Sequence, residues 1–241
     1  MCRSLNILSF TILVLLICSC QRTNKKVIEF EVKHSGALKK MMSGSIQSVV
    51  SLDSLSNKKH LYALGAFENL QGEIQVFNGM VYNSMVQGDR IHIEKNLKGS
   101  ASLLVYSEVS QWKENFSFLF ASKGDLDSLL INEAKRIGLD INKPFPFILE
   151  GKVSELKWHV INWDIQDSTH THKKHQESGL RGTLNNEVVS VLGFYSKKHK
   201  AVFTHHSSNT HMHFRTKDQS LAGHVDALKV DGLITLKLPK Q

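Results

Sequence analysis

Apolar and polar side chains alternate along most of this chain, and a two-residue period predicts strands. Residues 27–33 alternate in this way, and so do 73–77 and 80–83, on either side of Asn78-Gly79. That residue pair accepts positive φ at both central positions of a tight hairpin turn, so Glu73 opens a hairpin. Residues 102–107 and 116–121 read as further strands, followed by 147–150, 153–163, 188–195, 201–206, 211–216, 222–230 and 234–238. The period changes over residues 125–139, where leucine and isoleucine recur at helical spacing between Gly124 and Gly138. Pro144 and Pro146 forbid its continuation. Residues 36–42 and 45–55 read as helical or irregular. The pattern predicts an α+β fold, rich in antiparallel or mixed sheet and with few helices.

The N-terminus breaks the alternation. Arg3 is followed by a nearly unbroken apolar run from Leu5 to Ile17, the length of a signal-peptide core and too short to span a membrane comfortably. It ends in Ile17-Cys18-Ser19-Cys20, which resembles the lipobox of bacterial lipoproteins, and the polar stretch Gln21-Arg22-Thr23-Asn24-Lys25-Lys26 follows. Residues 1–19 are therefore expected to be a lipoprotein signal peptide, Cys20 the lipidated residue, 20–30 a tether and 31–241 the folded domain. This reading places the protein in the cell envelope with a membrane as partner. Each buried methylene of an acyl chain contributes about 0.8 kcal/mol, so a multiply acylated cysteine suffices as an anchor.

All 3 cysteines lie in that first segment, so the domain must cohere without internal disulfides. With 41% hydrophobic and 22% charged residues and only 3 prolines, the remainder suits one large domain or two small, tightly packed subdomains. The net charge of +8 raises the question of nucleic acid. Its lysines are scattered, however, with no helix or stacking motif to organise them, so nucleic acid is not an expected partner.

The 13 histidines are unevenly placed, and most fall in the second half. The sharpest group is His211-Met212-His213, then a short polar bend, then Gly223-His224. Residues i and i+2 of a strand share a face. If residues 217–220 turn a hairpin, His224 falls opposite His213, and Gly223 admits close backbone approach. Three neutral imidazoles with a vacant fourth position make a catalytic type of zinc site.

The string HMHFRTKDQSLAGHVDAL resembles the His-x-His-Phe and Gly-Gly-His-Val pattern of alpha-acetolactate decarboxylases, with Ala222 replacing the first glycine. LGAFENLQGEIQVFNGMVYN is similar to an earlier motif of that family at Gly65, Phe67, Leu70, Gly72, Glu73, Gly79 and Tyr82, and PFPFILEGKV resembles its later strand. The resemblance implies that His211, His213 and His224 bind zinc and that Glu73 is the active-site carboxylate. It implies a small 2-hydroxy-3-oxo acid as substrate, acetolactate giving acetoin and CO2, and it admits a homodimer. The chain departs from the family at Ala66, where the family has threonine, and at His159, where it has arginine. Residues 233–241 offer no counterpart to the family's late carboxylate. His159 is expected to act in the arginine's place as a cationic or proton-donating group.

Two other histidine groups carry expectations. His170, His172 and His175 lie in a polar stretch suited to an extra metal site, a flap, or an incidental loop. His205-His206, read as strand, should put one ring inward and one outward. Besides decarboxylation, the same zinc site fits a hydrolase or lyase acting on another carbonyl compound, or a non-catalytic zinc-binding lipoprotein.

Overall fold

The structure is a computed structural model that describes residues 30–120 and 126–240. The signal segment and Cys20 lie outside these residues, as does most of the tether. The first sheet is built from β1 (Lys33–Ser35), β2 (Val50–Ser51), β3 (Leu61–Phe67), β4 (Glu73–Phe77), β5 (Met80–Val81), β6 (Asn83–Gln87), β7 (Arg90–Glu94) and β8 (Ser100–Glu108). Its main path runs β1-β8-β3-β4-β6-β7, with β2 on β8 and β5 on β4. The second contains β9 (Trp112–Phe120), β10 (Phe145–Val160), β11 (Leu180–Tyr195), β12 (Thr210–Thr216), β13 (Ala222–Lys229) and β14 (Gly232–Pro239). Its order is β11-β12-β13-β10-β14-β9, and β10 also pairs with β11, so β10 to β13 close a ring. The pairings within both sheets are antiparallel. Helices α1 (Leu38–Met41), α2 (Leu126–Arg136) and α3 (His172–Glu177) are short.

Strand periodicity sorts the side chains into layers. On β3, Tyr62, Leu64 and Ala66 face the second sheet and meet Ile148, Leu192 and Phe194 in a shared apolar core. Leu61, Ala63 and Phe67 point the other way, toward Leu52, Leu55 and Ile74. Behind the second sheet, Leu130 and Ala134 of α2 pack on Phe145, Phe147 and Leu236. Glu73 and Gln75 pair with Ala66 and Leu64, so this register puts two polar side chains on the face that looks into the shared core.

The hairpin at Asn78-Gly79 forms with φ of 51° and 79° and Phe77 opposite Met80. Its return strand breaks at Tyr82, so residues 80–83 belong to β5 and β6 rather than to one strand. Residues 147–150 and 153–163 were expected as two strands. Residues 147–150 and 153–160 belong to the single β10, which ends at Val160, crosses Gly151 at φ 157° and pairs with β14 before it and β13 after it. Of the strand expected at 27–33, residues 27–29 lie outside the described residues, 30–32 are not strand, and β1 opens at Lys33. Residues 201–206 are not a strand: the carbonyl of His199 accepts from the N–H groups of Val202, Phe203 and Thr204, and Ala201 turns left-handed at φ 58°. An apolar run can satisfy its backbone locally in this way, and alternation alone does not reveal it.

Candidate metal centre

β12 carries His211 and His213 on one face, and β13 brings His224 directly opposite His213. β10 in turn sets His159 opposite His224. The neighbouring strand approaches closely because residue 223 is glycine; a Cβ there would stand 2.8 Å from the carbonyl oxygen of His159. His213 Nε2 lies 3.2 Å from His211 Nε2 and 3.3 Å from His224 Nδ1. Nitrogens bound at about 2.0–2.1 Å to a tetrahedral zinc ion stand roughly 3.3–3.4 Å apart, so the spacing fits a divalent ion.

The tautomer of His213 is set from the other sheet. Gln75 donates both amide hydrogens, to the Tyr82 carbonyl at 2.9 Å and to Ser84 Oγ at 2.7 Å. Its Oε1 can then only accept, and it lies 2.9 Å from His213 Nδ1. Nδ1 is the donor, which leaves a lone pair on Nε2 where the three nitrogens meet. Burial drives His211 down to about 4 and His213 and His224 well below the usual imidazole range. All three are therefore neutral at physiological pH, the form in which an imidazole nitrogen can accept a metal.

Glu73 is only 4% exposed. Its Oε1 is 3.7 Å from His159 Nε2 and accepts from the Ile161 N–H at 3.3 Å, while Oε2 is 3.7 Å from His213 Nε2. Burial pushes its carboxyl up to about 8, against the opposing pull of His159 and of Ile161. Burial works against the charged form of His159. The hydrogen bond to Asp226, with the charges of Glu73 and Asp226, outweighs it and raises this imidazole.

A cavity of about 660 Å³ opens beside His211 and His224, walled by Leu38, Met42, Met212 and Val225. A smaller one of about 80 Å³ reaches Glu73, His159 and Ala66. His172 and Gln176 of α3 border both. His175 also borders the smaller one; it hydrogen-bonds His170 at 2.9 Å, and both rings pack on Trp163. Among the described residues, none of His170, His172 and His175 belongs to a three-ligand group. His205, half-buried, and His206, exposed, both border the larger cavity, and neither lies on the strand expected there.

The structure thus brings together Glu73, His159, His211, His213 and His224. The sequence reading missed Gln75, although a polar residue two positions from Glu73 on an otherwise apolar strand was a usable signal. It also missed Asp226, two residues beyond His224 on one strand, and Gln176, which no local pattern marks.

This chain belongs to the alpha-acetolactate decarboxylase family, whose sequence profile matches residues 33–238. Two solved structures share its fold. One is an alpha-acetolactate decarboxylase from Bacillus subtilis strain 168, 13% identical, with a TM-score of 0.65 over 88% of this chain and 86% of that one. The other is a protein of unknown function from Staphylococcus aureus, described as similar to alpha-acetolactate decarboxylase. It is 13% identical, with a TM-score of 0.63 over 86% of this chain and 85% of that one. No curated protein matches the sequence significantly.

Proposed function

We propose that this chain is a zinc-dependent decarboxylase of a small 2-hydroxy-3-oxo acid, acetolactate or a near relative, yielding acetoin and CO2. The reading is carried by one observation: three imidazole nitrogens meet beside a buried carboxyl group 3.7 Å from one of them. His211, His213 and His224 would hold the metal. When bound, such a cation stabilises negative charge that grows on the substrate's oxygen as the C–C bond breaks. Replacing a carboxylate by hydrogen consumes one proton per CO2 released. Glu73, kept neutral by burial, carries such a proton at the edge of the small cavity, and His159 Nε2 faces it. Leu38, Met42, Leu103 and Ile161 give the small cavity an apolar wall opposite these polar groups.

The test is CO2 and acetoin release from acetolactate by zinc-loaded protein. Activity should vanish with chelator and return with zinc. Glu73→Gln should lower kcat by roughly 10²- to 10⁴-fold while zinc content stays unchanged. Tight zinc binding without decarboxylation above background would refute the assignment. We also propose attachment to a membrane of the cell envelope through lipidated Cys20, on the strength of residues 17–20. A clickable fatty acid should label the wild type in cells and not Cys20→Ser; equal labelling of both would refute it.

A further inference from the structure

Beside the three histidines runs a hydrogen-bond chain that starts on α3. Gln176 donates through Nε2 to Asp226 Oδ1 at 2.6 Å. Asp226 in turn straddles His159 Nδ1, with its two oxygens at 2.9 and 3.0 Å. A carboxylate only accepts, so the shared hydrogen sits on Nδ1 of His159. The ring's Nε2 is then the face turned to Glu73, 3.7 Å away. His159, His224 and Asp226 also lie close enough to one another to hold a metal. Against that use, Oδ1 of Asp226 already takes N–H hydrogens from two side chains, an arrangement suited to orienting an imidazole.

We infer that Asp226, steadied by Gln176, is a positioning residue that fixes the ring and tautomer of His159 so that Nε2 addresses Glu73 and the small cavity. The kinetic consequence rests on the decarboxylase reading; the tautomer is a property of the folded chain alone. His159 cannot acquire this orientation from its own strand, because neighbours on β10 offer Nδ1 no acceptor at these distances. The acceptor comes from β13, two residues beyond His224. One strand therefore supplies both a metal ligand and the group that aims His159.

The experiment is long-range ¹H–¹⁵N NMR on the full-length zinc-loaded protein, with the His159 signals assigned through His159→Gln. At a pH where the His159 ring is neutral, Nδ1 should appear protonated and Nε2 bare in the wild type, and Asp226→Ala should lose that signature. Both proteins should bind one zinc per chain. In the decarboxylation assay Asp226→Ala should lower kcat about 10- to 100-fold, the range for groups that orient a functional imidazole. KM should hold, and Asp226→Glu should recover part of the rate. A neutral wild-type His159 ring with its hydrogen on Nε2 overturns the inference without any variant, as do unchanged His159 signals in Asp226→Ala. Two zinc ions per wild-type chain, falling to one in Asp226→Ala, would overturn it by making Asp226 a ligand. Absence of decarboxylation by the wild type would strike the function proposed above, while the NMR result still decides the role of Asp226.

Discussion

Glu73 and Gln75 sit two residues apart on one strand face, yet their burial has different consequences. The amide of Gln75 is fully satisfied, whereas Glu73 is stabilised only when neutral. Its folded value of about 8 exceeds the unfolded 4.5. Between the two, the folded chain keeps a proton that the unfolded chain releases, so this contribution is whole below pH 4.5 and drains away as pH rises to about 8. Metal-free wild type should therefore lose stability relative to Glu73→Gln across that window, read from urea midpoints; a pH-independent difference would contradict it. The imidazole of His211 acts in the opposite direction. Lowered from 6.5 to about 4, it contributes fully above pH 6.5 and is lost as pH falls toward 4. Gln75→Leu should keep the fold but leave His213 Nδ1 without its acceptor, weakening zinc affinity about 10- to 100-fold in a competition titration. An unchanged affinity would show that the tautomer does not need Gln75. The three candidate ligands were legible because their spacing is local, i and i+2 on a strand and then a short hairpin. The partners that orient the imidazoles were not, since Gln75 and His213 are 138 residues apart and Gln176 and Asp226 are 50 apart.

Among the elements, the hairpin of β12 and β13 is the one on which the site depends. A methyl group on Gly223 would press on the backbone of β10, which cannot yield without moving His159. Gly223→Ala should cost about 1–3 kcal/mol of stability and weaken zinc binding with it. Loss of stability with metal affinity untouched would show that the hairpin absorbs the strain elsewhere. Gly193 faces Phe147 across β10 and β11, and a Cβ there would overlap the fully buried ring. Gly193→Ala should cost a similar amount, but without affecting zinc, because Phe147 packs in the core behind the second sheet. Most strands were readable from alternation, the hairpin from Asn-Gly and helix α2 from its leucine spacing. The failures have physical causes. Gly151 lets one long strand pass a point that reads as a break, and residues 201–206 turn on the His199 carbonyl.

At the level of the whole molecule, the two sheets contribute different parts of one centre. The candidate ligands and His159 come from the second sheet; Gln75 and Glu73 reach across from the first. Metal binding should therefore stabilise the packing between sheets as well as the hairpin. At a thousand times its dissociation constant, a ligand specific for the folded state adds about 4 kcal/mol. Calorimetry should show a higher Tm with zinc than with chelator, and Gln75→Leu should shrink the difference. If zinc closes this seam, the protein's lifetime is also tied to nutrition. Copies made during metal starvation would part first between the two layers and meet proteases there, so abundance in the cell would follow zinc supply even with transcription held constant.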